Sequence, residues 1–130
     1  MRSPYDPLPE DLRAWAYTDG AIEPVQDWDL MITDAVRAPR FIEFAGDPKC
    51  PNGLFFLKCL YLLVGDAVRT QGLSCDLEVI KKLLASQQYN RNPDIQAWVQ
   101  RSQKLIQSPE RFQYDDWCGG RLALDPEMKF

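Results

Sequence analysis

The sequence predicts an all-α domain, a compact bundle of about six or seven helices around one buried central helix at residues 53–71. The stretch from Asn52 to Gly72 carries apolar residues around almost the whole circumference of a helix, which is typical of a helix in the middle of a domain. No segment shows the sustained apolar–polar alternation of a half-buried strand. Several segments instead begin with a proline followed by acidic residues, as helices do. These three observations together favour a helical bundle.

The length of the chain predicts a single domain. It has 130 residues, of which 45% are hydrophobic, so it can bury a sizeable core. Two prolines within residues 1–8 predict an extended arm. Residues 121–130 are predicted to be an irregular tail of the same domain, which spans residues 1–130.

Three helices are predicted before residue 50. Pro9 and the acids that follow it open a short helix that ends at Asp19-Gly20. Residues 24–36 form the second helix, because apolar positions recur there at spacings of three and four. Pro39 ends or restarts that helix, and a short third helix follows at residues 41–45. The apolar face of the second helix consists of Trp28, Met31, Ile32, Ala35 and Val36.

The central helix is polar along only one narrow stripe, made of Lys58, Asp66 and Arg69. We expect this stripe to be the solvent-facing edge of the helix. Asp66 and Arg69 are three residues apart and are expected to form a local ion pair. Gly65 lies in the middle of the helix and predicts a close approach of another helix. Gly72 predicts the C-terminal cap.

Three further helices are predicted after residue 72. Ser74 is the predicted N-cap of a helix at residues 75–87. Asn92-Pro93-Asp94 is the clearest start signal in the chain, because it combines a capping residue, a proline at the first helical position and an acid in the first turn. Ser108 and Pro109 repeat this logic for a short last helix, which residues 115–120 break.

Charge and composition exclude several classes of partner and chemistry. The net charge is −4, with ten acidic and five basic residues in the first fifty, whereas phosphate binding needs concentrated Lys and Arg. Nucleic acid is therefore not an expected partner. The chain has no histidine, which excludes Ser-His and Cys-His nucleophiles, and its four cysteines form no C-x-x-C pair. We expect no catalytic residue, no metal and no cofactor.

Two further features concern location. The N-terminus has no apolar signal segment, and the apolar run at residues 54–64 is too short to cross a membrane. Four cysteines in a chain large enough to fold without disulfides favour free thiols. We therefore expect a soluble, cytoplasmic protein without a membrane partner.

The best candidate for a binding surface is the cluster Tyr114, Asp115, Asp116 and Trp117. Aromatic rings supply buried area and neighbouring carboxylates pair with Lys or Arg, which suits the recognition of a basic protein. The alternative is that Trp117 packs in the core and fixes the C-terminal tail. An acidic pair in a turn also serves to cap backbone groups, or less often to bind a cation or act as acid and base.

Asp27 and Asp29 form a second candidate for partner contact, on either side of Trp28. Two residues apart on a helix, they are expected to point to different sides and not to converge. Trp28 shares a face with Met31 and Ile32, which favours burial of its ring in the core.

Two stretches carry a resemblance to a known class. Residues 55–66 and 114–120 resemble patterns in small bacterial orphan proteins, including the helical immunity proteins of toxin systems. The resemblance covers less than a third of the chain. It implies a cytoplasmic protein that binds and blocks one cognate toxin, and it assigns no functional residue.

The sequence therefore predicts a non-catalytic module that binds a basic protein through an acidic and aromatic surface. One alternative is a small enzyme or ligand-binding protein with a pocket between helices near Asp66 and Arg69. Another is a structural subunit that covers apolar surface by forming an oligomer.

Overall fold

Helices make up all the regular secondary structure in the part of the chain that the computed structural model describes, namely residue 1, residues 3–125 and residues 127–128. The all-α prediction is therefore confirmed. Eight α-helices lie in these residues, and three of them have five residues or fewer. In chain order they are α1 (Pro9–Ala16), α2 (Trp28–Ile32), α3 (Ala38–Gly46), α4 (Gly53–Arg69), α5 (Leu77–Ala85), α6 (Pro93–Gln107), α7 (Tyr114–Trp117) and α8 (Arg121–Leu124), with a 3-10 turn at Pro109–Arg111 before α7.

The helix α4 lies at the centre of the bundle, as its apolar circumference predicts. It contacts α2, α3 and α5 to α8. Twelve of its 17 residues are buried, which requires partners on nearly every side. Its polar stripe is where the sequence predicts it, because Arg69 is exposed while Lys58 and Asp66 are half-buried.

An aromatic cluster fills the core between the N-terminal half and α4. Trp28 is fully buried, as predicted, and its ring lies 4.8 Å from Trp15 and 5.5 Å from Phe55, measured between centroids. Such pairs add about 0.5–1.5 kcal/mol each beyond the area they bury. Trp28 Nε1 donates a hydrogen bond of 2.8 Å to the carbonyl of Pro4. The predicted arm is therefore docked on the core by one residue that is far from it in sequence.

The C-terminus of α4 has the cap that the sequence predicts, with one difference in position. The amide of Gly72 donates to the carbonyl of Ala67 at 2.8 Å, and that of Gln71 to Val68 at 3.1 Å. These two bonds define a Schellman motif. Both Gln71 (φ 56°) and Gly72 (φ 89°) are left-handed, so glycine takes the second position and glutamine the first.

The predicted second helix is shorter than residues 24–36. Only Trp28–Ile32 is helical, because Asp27 has a left-handed backbone (φ 57°) and Thr33 is extended. The carboxylate of Asp34 then accepts from the backbone N–H of Arg37 at 2.7 Å and from its guanidinium at 2.6 Å. A side chain that bonds to the backbone in this way competes with helix continuation.

The C-terminal third also differs from the prediction in detail. Asp76, and not Ser74, caps α5, because its Oδ1 accepts from the amide of Glu78 at 2.7 Å. The predicted last helix is a 3-10 turn followed by α7, which lies where a break was expected. The predicted irregular tail begins with α8, while Pro126, Lys129 and Phe130 of that tail lie outside the described residues, as does Arg2 of the arm.

Candidate partner-binding surface

Trp117, a predicted contact residue, is part of the core. Its side chain is 1% exposed, and Nε1 donates a hydrogen bond of 2.6 Å to the carbonyl of Tyr61. The two rings meet edge to face at 5.3 Å. The indole lies directly over Gly65, where an added Cβ would be 3.0 Å from Nε1 and in closer contact still with Cδ1. The close approach predicted at Gly65 is therefore made by Trp117 of α7, and the ring is not accessible to a partner.

The other members of this cluster are placed differently from one another. Tyr114 is 52% exposed and Asp115 is exposed. Asp116 is half-buried, and its Oδ1 is 3.0 Å from Nη1 of Arg121 on α8. The α7 segment therefore presents the ring of Tyr114 and the side chain of Asp115 to solvent, while Asp116 forms an ion pair with Arg121 within the fold.

Asp27 and Asp29 border the same concave surface, although they were expected to point to different sides of a helix. Both line one open concavity of about 580 Å³, together with Glu23. The helical argument fails because Asp27 lies before α2 and is left-handed, so the two side chains are not separated by the helical rotation. We refer to Glu23, Asp27 and Asp29 as the acidic concavity.

Glu23 was not singled out by the sequence, although three acids within seven residues are a detectable signal. Partial burial raises its pKa, and the charges of Asp29 and Asp27 raise it further, while Lys58 lowers it. A carboxyl that is harder to ionise beside other carboxylates indicates a local excess of negative charge.

Lys58 offsets part of that excess, and no ion pair among the described residues offsets the rest. Among the described residues, no member of the acidic concavity is in an ion pair, whereas Asp34, Asp66 and Asp116 each pair with an arginine. Asp29 has one backbone partner, because its Oδ1 accepts from the amide of Leu30 at 2.9 Å. The concavity therefore keeps its charge available to an external cation.

Lys58 connects the two candidate surfaces. A Cβ at Gly120, the residue before α8, would lie 2.9 Å from Cγ of Lys58. The stem of Lys58 thus packs against the corner between α7 and α8, while its charge acts on Glu23 of the acidic concavity. Lys58 therefore acts on both parts of the chain, by packing at Gly120 and by its charge at Glu23.

Exposed apolar side chains lie beside the acidic concavity in the chain. Ile22 is 84% exposed and Leu30 is 50% exposed, one before and one after the acids. Large apolar side chains at the surface supply buried area when a partner covers them.

The alternative site on α4 is a surface ion pair. Nη2 of Arg69 is 3.1 Å from Oδ1 of Asp66, as the spacing predicts, and the arginine side chain is 49% exposed. Neither residue lines the acidic concavity. The nearby thiol of Cys118 is not activated, because burial and then the charge of Asp66 raise its pKa to about 12.

In the described residues, no group of three His, Cys, Asp or Glu side chains is placed to hold a metal ion. The helices of the same part of the chain include none with the length and apolar character needed to span a membrane. No family model, curated protein or solved structure matches this chain.

Proposed function

We propose that this protein is a non-catalytic module that binds a basic protein through the acidic concavity, in the manner of an immunity protein that blocks a cognate toxin. The observation that supports the proposal is that Glu23, Asp27 and Asp29 line one concave surface and that none of them forms an ion pair among the described residues. Tyr114 and Asp115 form the second part of the contact surface.

Electrostatics is the first physical argument for this reading. Carboxylates that outnumber the cations near them steer a positively charged partner toward the surface and raise the rate of encounter. Burial raises the pKa of Glu23 most, and pairing with Lys or Arg offsets the repulsion from Asp29 and Asp27 that raises it further. The partner side chains that this surface fits are therefore basic.

Apolar contact is the second argument. Charges at the rim of an interface set specificity and encounter rate, whereas buried aromatic and aliphatic groups supply most of the affinity. Ile22 and Leu30 flank the acids of the concavity in the chain, and Tyr114 of α7 is a further exposed ring. A partner that covers these three side chains gains apolar burial as well as charge pairing.

The proposal includes a location in the bacterial cytoplasm, where such a protein meets its toxin. All four cysteines are free thiols, two of them buried and two half-buried. Free thiols suit a reducing compartment. The bacterial origin comes from the resemblance to immunity proteins alone.

A pull-down from the native host tests the proposal, with low-salt and high-salt washes in parallel. The bait is compared with the variant Glu23→Gln/Asp27→Asn/Asp29→Asn and with a matched control that removes three exposed acids elsewhere: Glu10→Gln, Glu110→Gln and Glu127→Gln. We expect one stoichiometric basic protein on the unchanged and control baits. It should be lost from the concavity variant and in high salt, which screens exposed charge pairs.

The outcomes separate the parts of the proposal. Equal retention on the concavity variant would assign the contact to another surface, and equal loss from both variants would make net charge the cause. Capture of no partner at either salt would count against a binding module. If the captured protein arrests growth when produced alone, co-production of the unchanged chain, and not of the concavity variant, should restore growth.

A further inference from the structure

The turn between α3 and α4 contains an Asn-Gly pair, and its asparagine binds the end of α1. Nδ2 of Asn52 donates hydrogen bonds to three backbone carbonyls, those of Trp15 at 3.0 Å, Ala16 at 3.0 Å and Thr18 at 2.7 Å. These carbonyls lie at or just beyond the C-terminus of α1, the negative end of its helix dipole. Because all three neighbours are acceptors, they fix which end of the amide is its nitrogen. Asn52 therefore caps a helix that is 34 to 37 residues away in the chain.

Gly53 is required by a second, separate contact. A Cβ there would lie 3.1 Å from the carbonyl oxygen of Phe44 and 3.7 Å from Cα of Ala45, both in α3. Because Gly53 is the first residue of α4, its missing side chain lets the start of α4 pack against the backbone of α3. Packing of α1 thus requires an asparagine and packing of α3 requires a glycine at the next position. In this dipeptide the side-chain amide is most open to attack by the following backbone nitrogen, because glycine has no Cβ to hinder it.

The folded turn opposes a reaction between these two residues. Ring closure would join the amide nitrogen of Gly53 to Cγ of Asn52, so that nitrogen must lie on the side of Cβ. The ψ angle of Asn52, which is the torsion between its own nitrogen and that of Gly53, is 20°. The Gly53 nitrogen is therefore turned toward the backbone nitrogen of Asn52 and away from Cβ. Its N–H also donates to the carbonyl of Cys50 at 3.2 Å. The fold thus protects the pair, and local opening of the turn exposes it.

We propose that Asn52 is a site of spontaneous deamidation, protected while the turn at residues 50–53 is folded and reactive when that turn opens. The amide nitrogen of Gly53 loses its proton and attacks Cγ of Asn52. The new N–C bond closes an imide ring, and the side-chain nitrogen leaves with the transferred proton as ammonia. Water then adds to either imide carbonyl and breaks its bond to nitrogen, which gives aspartate or isoaspartate and restores the N–H. This modification is independent of the acidic concavity and of the protein-binding function proposed for it.

Either product removes the bonds between residue 52 and α1. A carboxylate has no N–H to donate, so the carbonyls of Trp15, Ala16 and Thr18 lose this donor and face a negative charge instead. That charge lies at the negative end of the α1 dipole, where an anion is unfavourable. Isoaspartate also inserts Cβ into the main chain directly before the first residue of α4. A chain that has reacted therefore refolds into a less stable protein, and the loss is permanent.

The first test incubates the full chain, without substitutions, at pH 8 in native buffer and in urea that unfolds it. Mass spectrometry of a digest measures the conversion of each asparagine from amide to acid. Asn90 and Asn92 are internal controls in the same digest. The residue after Asn90 is an arginine, whose side chain hinders the attack, and the residue after Asn92 is a proline, whose nitrogen has no hydrogen to lose.

In urea, Asn52 should convert faster than either control. In native buffer its conversion should be at least about tenfold slower than in urea, a factor that a local opening free energy of only about 1.4 kcal/mol supplies. Equal rates in the two buffers would refute protection by the fold. Conversion of Asn52 in urea no faster than that of Asn90 would overturn the site itself.

A pair of variants tests the consequence for stability. Asn52→Asp supplies the aspartate product directly, and Asn90→Asp is the matched control. The amide of Asn90 donates to the side-chain oxygen of Gln87 at 3.0 Å, and the amide of Gln87 can turn its nitrogen toward a carboxylate, whereas backbone carbonyls cannot. We expect a lower urea midpoint for Asn52→Asp, or no folded protein, while Asn90→Asp keeps a midpoint near that of the unchanged chain. Equal midpoints for the two variants would refute the loss of stability on deamidation.

Discussion

Replacing Gly65 with alanine should destabilise the protein, although the same change inside an exposed helix stabilises by about 1 kcal/mol. The added methyl group would lie 2.8 Å from Sγ of Cys118 and 3.0 Å from Nε1 of Trp117, with Cδ1 of that ring closer still. Trp117 is 1% exposed and is bonded to the carbonyl of Tyr61, so it cannot turn into solvent without leaving its site.

The magnitude follows from three effects of different sign. Overpacking a core costs about 1–3 kcal/mol. A buried indole N–H that loses its acceptor costs about 1–3 kcal/mol more. The gain in helix propensity offsets about 1 kcal/mol, which leaves a net loss of about 3 kcal/mol at the middle of both ranges. In a domain of this size that corresponds to a Tm about 10 °C lower.

Urea unfolding followed by tryptophan fluorescence and circular dichroism measures this loss as a lower midpoint at unchanged m-value. Gly46→Ala is the matched control, because Gly46 is also helical and an added Cβ there meets only ordinary contacts, the nearest at 3.6 Å from Ile95 Cγ1. The control should be neutral or slightly stabilising. A Gly65→Ala variant as stable as the unchanged protein would refute the packing argument.

A double-mutant cycle identifies the partner of the added methyl group. Trp117→Leu on its own should destabilise, because it empties a buried site and removes the bond to Tyr61. Combined with Gly65→Ala, the two costs should fall short of additivity by about 1 kcal/mol or more, since the smaller side chain leaves room for the methyl group. Strict additivity would show that the strain lies elsewhere, at Cys118.

Three further outcomes are expected. Asn92→Ala should lower the free energy of unfolding in urea by about 1–2 kcal/mol, because Asn92 Oδ1 accepts from two amides of the first turn of α6. Ser74→Ala is the control and should leave the free energy of unfolding nearly unchanged, because Ser74 does not cap α5. Tyr17→Phe should reduce the loss of stability at alkaline pH, because the hydrogen bond to Asp47 raises the pKa of Tyr17 in the folded protein to about 12. The stabilisation from this bond is complete below the pKa of the unfolded chain, about 10, and is lost as the pH rises toward 12. An unchanged dependence of stability on alkaline pH would contradict this. Cys59 should resist thiol reagents at pH 8 until the chain unfolds, because burial raises its pKa to about 12. Mass spectrometry of the native protein after labelling measures whether Cys59 has reacted.

The helical elements follow from interactions within a few residues. Asn92, Pro93 and Asp94 predict the start of α6 at the residue where it begins, because a cap depends on side-chain oxygens and amides two or three positions apart. The burial of α4 follows in the same way from its own apolar circumference. The second helix was predicted too long because Asp27 and Asp34 prefer local bonds and a left-handed turn to continued helix.

The candidate sites depend on contacts that no local pattern contains. Asp27 and Asp29 were identified from their charge, but the backbone turn before α2 is what places both on one concave surface with Glu23. The bonds of Asn52 to α1 were not predicted either, because the three carbonyls that accept them lie 34 to 37 residues away.

By itself, the sequence determined that this chain is helical, which helix is central, where α6 starts, and that no histidine is available for chemistry. These properties depend on composition and on residues up to four positions apart. Only the tertiary structure decided that Trp117 is buried, where its Nε1 meets a carbonyl 56 residues away, and that Arg101 reaches a hydroxyl 40 residues away. Such pairs form when helices pack, because the free energy of burying their apolar faces brings distant polar groups together.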